Sequence, residues 1–135
     1  MEGRYAEGTI EIVTYDDHEL GPADPSGIRL LSTITEYHYT GGISGTGHHA
    51  YLQRIGTANT GPFLVMARFV CSLGGKRGTF MTEGSGTRGP RGPVDVDWHI
   101  VPETGTGELA GVTGSGKVTT TDDGVVRYTL SYEVP

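Results

Sequence analysis

The sequence predicts an all-β fold, a single eight-stranded antiparallel β-barrel, on three observations. The chain of 135 residues contains 23 glycines and seven prolines but no long segment rich in Ala, Leu, Glu, Lys and Gln. This composition favours short strands and tight turns over helices. Turn sequences recur at regular intervals, and apolar and polar residues alternate between them. The length suits one modest core, so we expect one barrel domain over residues 1–135.

Turn sequences set the expected strand boundaries. In chain order they are LGPADPSG, TGG, GTANTGP, LGGKRG, GSGTRGPRGP, PETGTG and TDDG. The segments between them are the predicted strands: roughly 6–18, 28–40, 43–55, 63–73, 78–84, 93–101, 108–120 and 125–134. Short connections favour an up-and-down order, and closing the sheet removes its exposed edges. A closed barrel of this size is either filled by side chains or holds one small ligand.

The first three predicted strands are defined by the turns on either side of them. The third contains Gly45 and Gly47, which suit the sharp bends of a small barrel. The fourth, FLVMARFVCSL, is apolar on both faces apart from Arg68 and Ser72. We expect a second layer or a partner subunit to cover its outer face. The fifth is short and runs into the Gly- and Pro-rich segment 84–93, which we interpret as a loop.

Alternation is clearest in the last strands. In VDVDWHIV the apolar residues at even positions 94–100 lie opposite the Asp and His residues at odd positions. The seventh strand contains Gly114 and Gly116, which again suit sharp bends. In the eighth, the even positions 126–134 are apolar or aromatic and share one face. Each alternating strand is expected to bury one face.

Charge and cysteine content exclude several functional classes. The formal net charge of −6 at pH 7 repels nucleic-acid phosphates and anionic lipids. The lone cysteine, Cys71, allows neither an intrachain disulfide nor a metal site of paired cysteines, which fits a reducing cytoplasm. The N-terminal sequence lacks a basic and apolar leader, and no apolar run approaches the roughly 20 residues of a membrane span. We expect a cytoplasmic protein with no nucleic-acid or membrane partner.

Two glycine-rich segments look like nucleotide-binding motifs and are excluded as such. GVTGSGKVTT has the glycine spacing of a phosphate loop, but Lys117 is followed by Val118 where a magnesium-binding hydroxyl is required. The β-branched residues after it favour a strand where that loop needs a helix. GTGELA fits a dinucleotide pattern, but the glycines that follow it would interrupt the required helix. Both segments are interpreted as turn and strand.

Interpreted as turn and strand, WHIVPETGTGELAGVTGSGKV (residues 98–118) is similar to the signature of a bacterial family, domain of unknown function 3224. That signature has Trp on a strand, Val-Pro, a Gly/Ser/Thr turn, and Gly-Glu-Leu-Ala-Gly before alternating glycines. YTGGISGTG, RGTFMTEGSG and the closing YTLSYEV also resemble family segments. The resemblance covers roughly residues 28–135. The sequence departs from the family pattern at Glu103 and Thr104, usually Gly-Ser, and at Glu83, often an uncharged polar residue.

The resemblance implies a small barrel of the allene oxide cyclase-like, calycin-like type, often oligomeric, with no settled activity. Relatives in the wider superfamily include plant allene oxide cyclases, dirigent proteins and bacterial cyclases. These hold a reactive substrate in a shaped cavity and need no cofactor. The resemblance therefore implies a homo-oligomer that acts on a small hydrophobic molecule without a cofactor.

Three residues are candidate catalytic groups. Glu83 lies beside Phe80 and Met81 on a short strand, and a buried carboxylate would have a raised pKa and could act as a general acid or base. Glu36 and His38 share one face of the second strand and could orient or activate a hydroxyl. The alternative for each is a structural or solvent-facing role.

Five residues are candidates for substrate binding. Arg68 lies in the most apolar strand, and its alternatives are a structural pair with Glu83 or a solvent-facing position on the barrel exterior. Aromatic residues are expected in the core or the cavity wall, where they would shape an apolar substrate and stabilise developing positive charge. These residues are Tyr51, Trp98, Tyr128 and Tyr132.

The histidines do not predict a metal site. His48 and His49 are adjacent on a strand and therefore point to opposite faces, so both cannot bind one metal ion from there. We expect His18 and at least one of this pair at the surface or in an interface.

The favoured function is a cofactor-independent cyclase or isomerase that folds a small hydrophobic precursor, of polyketide or other secondary-metabolite origin, with acid/base assistance. One alternative is a noncatalytic barrel that binds a small apolar molecule. Another is a structural or interaction barrel with a filled core. A cavity lined by ionisable groups of displaced pKa favours the first, and a cavity without them favours the second.

Overall fold

The computed structural model describes residues 3–90 and 92–135, and its eight strands close into one antiparallel barrel in chain order. The strands are β1 (Arg4–Glu19), β2 (Arg29–Gly41), β3 (Ile43–Ile55), β4 (Gly61–Leu73), β5 (Lys76–Arg88), β6 (Val94–Ile100), β7 (Thr113–Thr120) and β8 (Val126–Glu133). Each strand pairs with the next, and β8 pairs with β1. The predicted eight-stranded barrel is confirmed.

Two predicted boundaries are wrong. Strand β5 continues to Arg88, through the first half of the segment interpreted as a loop, because residues 84–88 pair with β4 on one side and β6 on the other. Strand β7 begins at Thr113, five residues later than expected. The residues before it form a short 3-10 turn, Gly107–Leu109, which the positive φ of 60° at Gly107 allows.

The strands of the barrel have two classes of length. Strands β1 to β5 have 13 to 16 residues, whereas β6 to β8 have only seven or eight. Beyond Ile10, β1 pairs with β2 alone. The β1–β2 register shifts between Ile12 and Thr14, which changes the alternation so that Ile12 and Tyr15 both reach the interior. One end of the barrel is therefore slanted and open.

The other end is closed by the connection between β6 and β7. Leu109 and Val112 on this connection are completely buried against the barrel. Tyr128 joins the strands beside it, because its hydroxyl accepts from the Ile43 amide at 2.8 Å and donates to the Thr40 carbonyl at 2.7 Å. Together with aromatic and aliphatic side chains from all the strands, these groups form the larger hydrophobic core. We call this end the closed end.

Helical structure in residues 3–90 and 92–135 is limited to the three-residue 3-10 turn. No helix in this part of the chain is long and apolar enough to cross a membrane. The segment GVTGSGKVTT lies in a turn and in β7, where Lys117 pairs with Asp97 on the outside. It therefore lacks the helix that phosphate binding requires.

The outer face of β2 to β4 carries exposed apolar side chains. Leu64, Met66 and Val70 of β4 are 62%, 55% and 50% exposed, and Ile34 and Leu52 lie on the neighbouring strands with similar exposure. No second layer from the described residues covers them, although the sequence led us to expect either such a layer or a partner subunit. A homo-oligomer stays a prediction.

Leu109 should contribute to stability by closing the barrel. Leu109→Ala removes a completely buried side chain and should lower the free energy of unfolding by roughly 2–5 kcal/mol, measured by urea denaturation. Leu64→Ala makes the same change at an exposed position and should cost less than about 1 kcal/mol. Equal losses in the two variants would contradict this role for Leu109.

Candidate functional site

A cavity of about 350 Å³ occupies the barrel interior between the open end and the core. Its volume lies in the range of small-ligand pockets. Aliphatic side chains form much of its wall, including Ile10, Val65, Val96 and Val118. The interior is thus not packed solid, and the residues at its two ends decide what could occupy it.

Aromatic rings surround His49 at the deep end of the cavity. The His49 ring centroid lies 4.7 Å from that of Tyr37, 5.9 Å from that of Tyr39 and 5.5 Å from that of Phe69. Tyr51 stacks on His49 from the open side, with centroids 5.9 Å apart and planes 9° apart. His49 is therefore held in one orientation by rings on several sides.

Glycines on β3 and β7 make room for the rings of His49, Tyr39 and Trp98. A Cβ atom at Gly47 would lie 2.6 Å from Nε2 of His49 and 2.7 Å from a ring carbon of Tyr39. A Cβ at Gly116 would lie 2.8 Å from the indole of Trp98. These glycines therefore allow large rings to lie flat against the barrel wall, a role beyond the bending that the sequence predicts.

A single hydrogen bond fixes the hydrogen positions on His49. The Tyr39 hydroxyl lies 2.9 Å from Nε2 of His49. If the hydroxyl donates to Nε2, the ring hydrogen of the neutral imidazole is on Nδ1. In the reverse arrangement both the hydroxyl hydrogen and the Nδ1 lone pair would be buried without partners, which costs more. We therefore assign Tyr39 as the donor and Nδ1–H as a free donor.

His49 is uncharged at neutral pH. Burial, with a smaller contribution from the charge of nearby His48, lowers the pKa of His49 to about 3. Burial also raises the pKa of the Tyr39 hydroxyl well above its ordinary range. The pair is therefore a neutral hydrogen-bonding couple at pH 7, with little tendency to gain or lose a proton.

Buried polar atoms without partners are concentrated on residues that line this cavity. Nδ1 of His49, Nε1 of Trp98 and Nε of Arg88 are buried and form no hydrogen bond among the described residues. His49 and Trp98 are only 8% and 7% exposed, and both pack against Phe69 at the deep end. Such atoms are rare in native proteins because each costs about 1–3 kcal/mol.

The open end of the cavity is more polar. Asp17 accepts a hydrogen bond from the Thr33 hydroxyl at 2.6 Å, and Gln53 donates to the same hydroxyl oxygen at 2.7 Å. Arg88, the last residue of β5, reaches the cavity from the opposite side. Charged groups thus lie at the mouth, whereas the deep end is neutral.

The predicted catalytic residues lie outside the barrel. Glu36 and His38 are on the outer face of β2, and Glu36 lies 3.6 Å from the ring of His48. Glu83 lies 3.0 Å from Nε2 of His99, and both side chains are about half exposed. The structure does not bring these three candidates together, and none of them lines the cavity.

The predicted substrate-binding residues divide into three groups. Tyr51 and Trp98 line the cavity. Tyr128 and Tyr132 lie in the core at the closed end. Arg68 lies on the outer face of β4, with its guanidinium 3.7 Å from the Met81 sulfur, and it forms no ion pair with Glu83 among the described residues.

Sequence reasoning missed His49, Tyr39 and Arg88 as cavity residues. One signal could have found the first: His49 and Tyr51 are two residues apart on β3 and therefore share a face. Tyr39 required the β2–β3 register, in which Tyr39 pairs with Gly45. Arg88 was not predicted as a cavity residue because segment 84–93 was interpreted as a loop, whereas Arg88 ends β5.

The described residues contain no group of three or more His, Cys, Asp or Glu side chains that could hold a metal ion. Cys71 is buried, and burial raises the pKa of its thiol to about 11. The polar groups at the deep end of the cavity are neutral hydrogen-bonding side chains, His49, Tyr39 and Trp98. The charged side chains that line the cavity, Asp17 and Arg88, lie at its mouth.

Comparison with known proteins gives a family and a fold. The sequence model of one family, described as protein of unknown function (DUF3224), matches residues 6–132. A crystal structure of a protein with unknown function from that family, from Shewanella oneidensis MR-1, superposes with a TM-score of 0.84 at 18% sequence identity. The match covers 99% of this chain and 98% of that one. No curated protein matches the chain.

The buried neutral His49 should make stability depend on pH. Its pKa is about 3 in the folded state against an ordinary 6.5, so the unfolded chain binds the extra proton between these values. The free energy of unfolding should therefore fall as pH drops, by about 2 kcal/mol between pH 7.5 and 5. Urea denaturation of His49→Gln should show a correspondingly flatter profile.

The control for this measurement is His38→Gln, which removes an exposed histidine from the outside of β2. This variant should keep the wild-type slope. Identical slopes for wild type and His49→Gln would show that His49 does not carry the pH dependence.

Proposed function

The chain belongs to the DUF3224 family of proteins of unknown function, and we propose that it binds a small, largely apolar molecule carrying a hydrogen-bond-accepting oxygen. The family predicted from the sequence is confirmed, while a relation to allene oxide cyclase stays a prediction. One observation carries the proposal: His49 and Trp98 line the deep end of a cavity of about 350 Å³, and each has a buried nitrogen, Nδ1 and Nε1, without a partner among the described residues.

The two deep nitrogens favour an acceptor. Nε1 of Trp98 can only donate, and Nδ1 of His49 is also a donor in the arrangement assigned above. A carbonyl, ether or hydroxyl oxygen has two lone pairs and could accept from such donors once a small shift of either ring exposes its nitrogen to the cavity. Its arrival would remove the cost of the unsatisfied groups, about 1–3 kcal/mol each.

The rest of the cavity favours an apolar body. Aromatic rings line the cavity, and aliphatic residues form the remaining wall. The rings include those of Tyr37, Tyr51, Phe63 and Phe69. A flat, unsaturated or ring-containing molecule would pack against these rings at offset-stacked or edge-to-face distances. Neutral binding chemistry also fits His49, whose low pKa keeps it uncharged.

A neutral apolar probe should bind in the cavity. N-phenyl-1-naphthylamine, whose fluorescence rises in apolar surroundings, should titrate to saturation at one site per chain. Val65→Phe adds bulk to a cavity-lining position and should weaken binding at least about tenfold, because small hydrophobic sites are sensitive to a few atoms.

Val70→Phe provides the matched control. It makes the same change on β4 at an outward position that is 50% exposed, and it should leave the affinity unchanged. Equal weakening by both variants, or no saturable binding by the wild type, would exclude the cavity as the binding site.

A cofactor-free cyclase or isomerase is the second candidate function. The observation favouring it is the His49–Tyr39 couple, because both groups line the cavity and burial displaces the pKa of each, the feature expected of a cyclase. Glu83, Glu36 and His38 do not line the cavity. Secondary-metabolite substrates, a cytoplasmic location and oligomerisation stay predictions.

The electrostatics of the couple limit the reactions it could assist. Imidazole with a pKa near 3 is a weak base, so its contribution would be a hydrogen bond from Nδ1 to a substrate carbonyl. Such a bond stabilises negative charge that develops on the oxygen during enolisation or ring closure. The aromatic wall would hold the substrate in a reactive conformation, which lowers the entropic part of the barrier.

Polarisation of a bound carbonyl can be measured by deuterium exchange. In D₂O, deuteroxide or buffer base removes a methyl proton of bound 2-acetonaphthone, and the enolate then takes up deuterium from the solvent. This exchange should be at least about tenfold faster than in buffer, because a donor to the carbonyl stabilises the enolate. Proton NMR follows the loss of the methyl signal. His49→Phe should return the rate to background, whereas His48→Phe on the outer face should not.

Exchange at the buffer rate with the ketone demonstrably bound would leave the noncatalytic binding barrel as the better description. Fast exchange in His49→Phe would assign the effect to another group.

A further inference from the structure

We infer that the ligand of this cavity is a carboxylate, whose charged end is bound at the mouth by Arg88. The inference rests on the proposed function and adds a chemical class to it. Three features of the described residues carry it: the position of Arg88, its lack of an anionic partner, and the absence of competing free charge deeper in the cavity.

Arg88 lies where a ligand must pass or end. It is the last residue of β5 and pairs with Gly61 of β4 and Val94 of β6. Its side chain is partly buried and lines the cavity. It therefore presents a cation to the interior, whereas Arg54 at the same end of the barrel is exposed on the outer face of β3.

The guanidinium of Arg88 has no anion to bind within residues 3–90 and 92–135. It forms no ion pair with these residues, and its buried Nε has no hydrogen-bond partner. Arg88 is partly buried, so its charge loses part of its hydration without gaining an anion from the described residues. An incoming anion would supply the missing opposite charge and accept from the terminal nitrogens of the guanidinium.

Asp17 is not the anionic partner of Arg88. It is the one carboxylate among the described cavity-lining residues, it is exposed, and one of its oxygens already accepts from Thr33 at 2.6 Å. No contact within ion-pair distance joins it to Arg88. A planar carboxylate suits the forked donors of a guanidinium, which can form two parallel hydrogen bonds with it.

The spacing along β5 sets the size of the molecule. Gly84 pairs with Trp98 at the deep end, and Arg88 lies four residues further along the same strand. At about 3.3 Å per residue the two positions are roughly 13 Å apart. A ligand that reaches both needs an apolar body of two fused rings or a comparable chain, with an acceptor at one end and the carboxylate at the other.

The overall charge of the chain opposes the binding of a carboxylate, so a preference for a carboxylate over an uncharged analogue is an informative test. The chain carries a net charge of −6 at pH 7 and should repel anions in general. Any preference for a carboxylate over an uncharged analogue must therefore come from a local cation.

The experiment compares 2-naphthoate with its uncharged methyl ester by displacement of N-phenyl-1-naphthylamine. Wild type should bind the acid at least about tenfold more tightly than the ester at low salt. Arg88→Met should reduce this preference to within about twofold, chiefly by weakening the binding of the acid. Arg88→Lys should keep part of it.

Arg54→Met is the matched control, since it removes an equal charge from the outside of the same end of the barrel. It should keep the full preference. Equal binding of acid and ester by the wild type would overturn the inference, because no preference for the carboxylate would exist. The same result would leave the proposed function intact. A preference that survives Arg88→Met would also overturn it. If neither the ester nor the neutral probe binds, the proposed function falls as well.

Discussion

Interior volume is the constraint on which the rest of this structure depends. An eight-stranded barrel is just wide enough to be filled by its own side chains, so a cavity exists only where inward residues are small. At the closed end the interior is filled by Leu109, Val112 and their neighbours. Further up, Gly84 and Gly86 of β5 are packed closely by Trp98 and Phe63, and both of these rings line the cavity.

The same interior sorts side chains by charge. A group deep in the barrel loses hydration, so His49 stays neutral and depends on Tyr39 for a hydrogen bond. The carboxylates Glu36 and Glu83 lie outside, each near a histidine and partly hydrated. The barrel thus separates a neutral, directional interior from a charged exterior, and Arg88 lies at the boundary.

The sequence predicts the strands and the closure well because turns and strand periodicity are local properties. It is harder to predict which face of a strand points into the barrel, because β2 and β3 do not bury their apolar face throughout. Thr33 and Gln53 point inward, while Ile34 and Leu52 point outward. The register shift after Ile12 also has no strong sequence signal. Unpartnered atoms such as Nε1 of Trp98 depend on contacts between distant strands, which spacing along one strand cannot give.

The unequal strand lengths have a consequence for the rates of binding. At the open end β8 begins at Val126, opposite Ile10, whereas β1 continues to Glu19, so a molecule enters most easily over β8. Arg88 lies at this mouth, level with Val94, and would be met early, whereas Trp98 and His49 would be reached last. Association would then respond to ionic strength through the mouth, and residence time would be governed by the hydrogen bonds at the bottom.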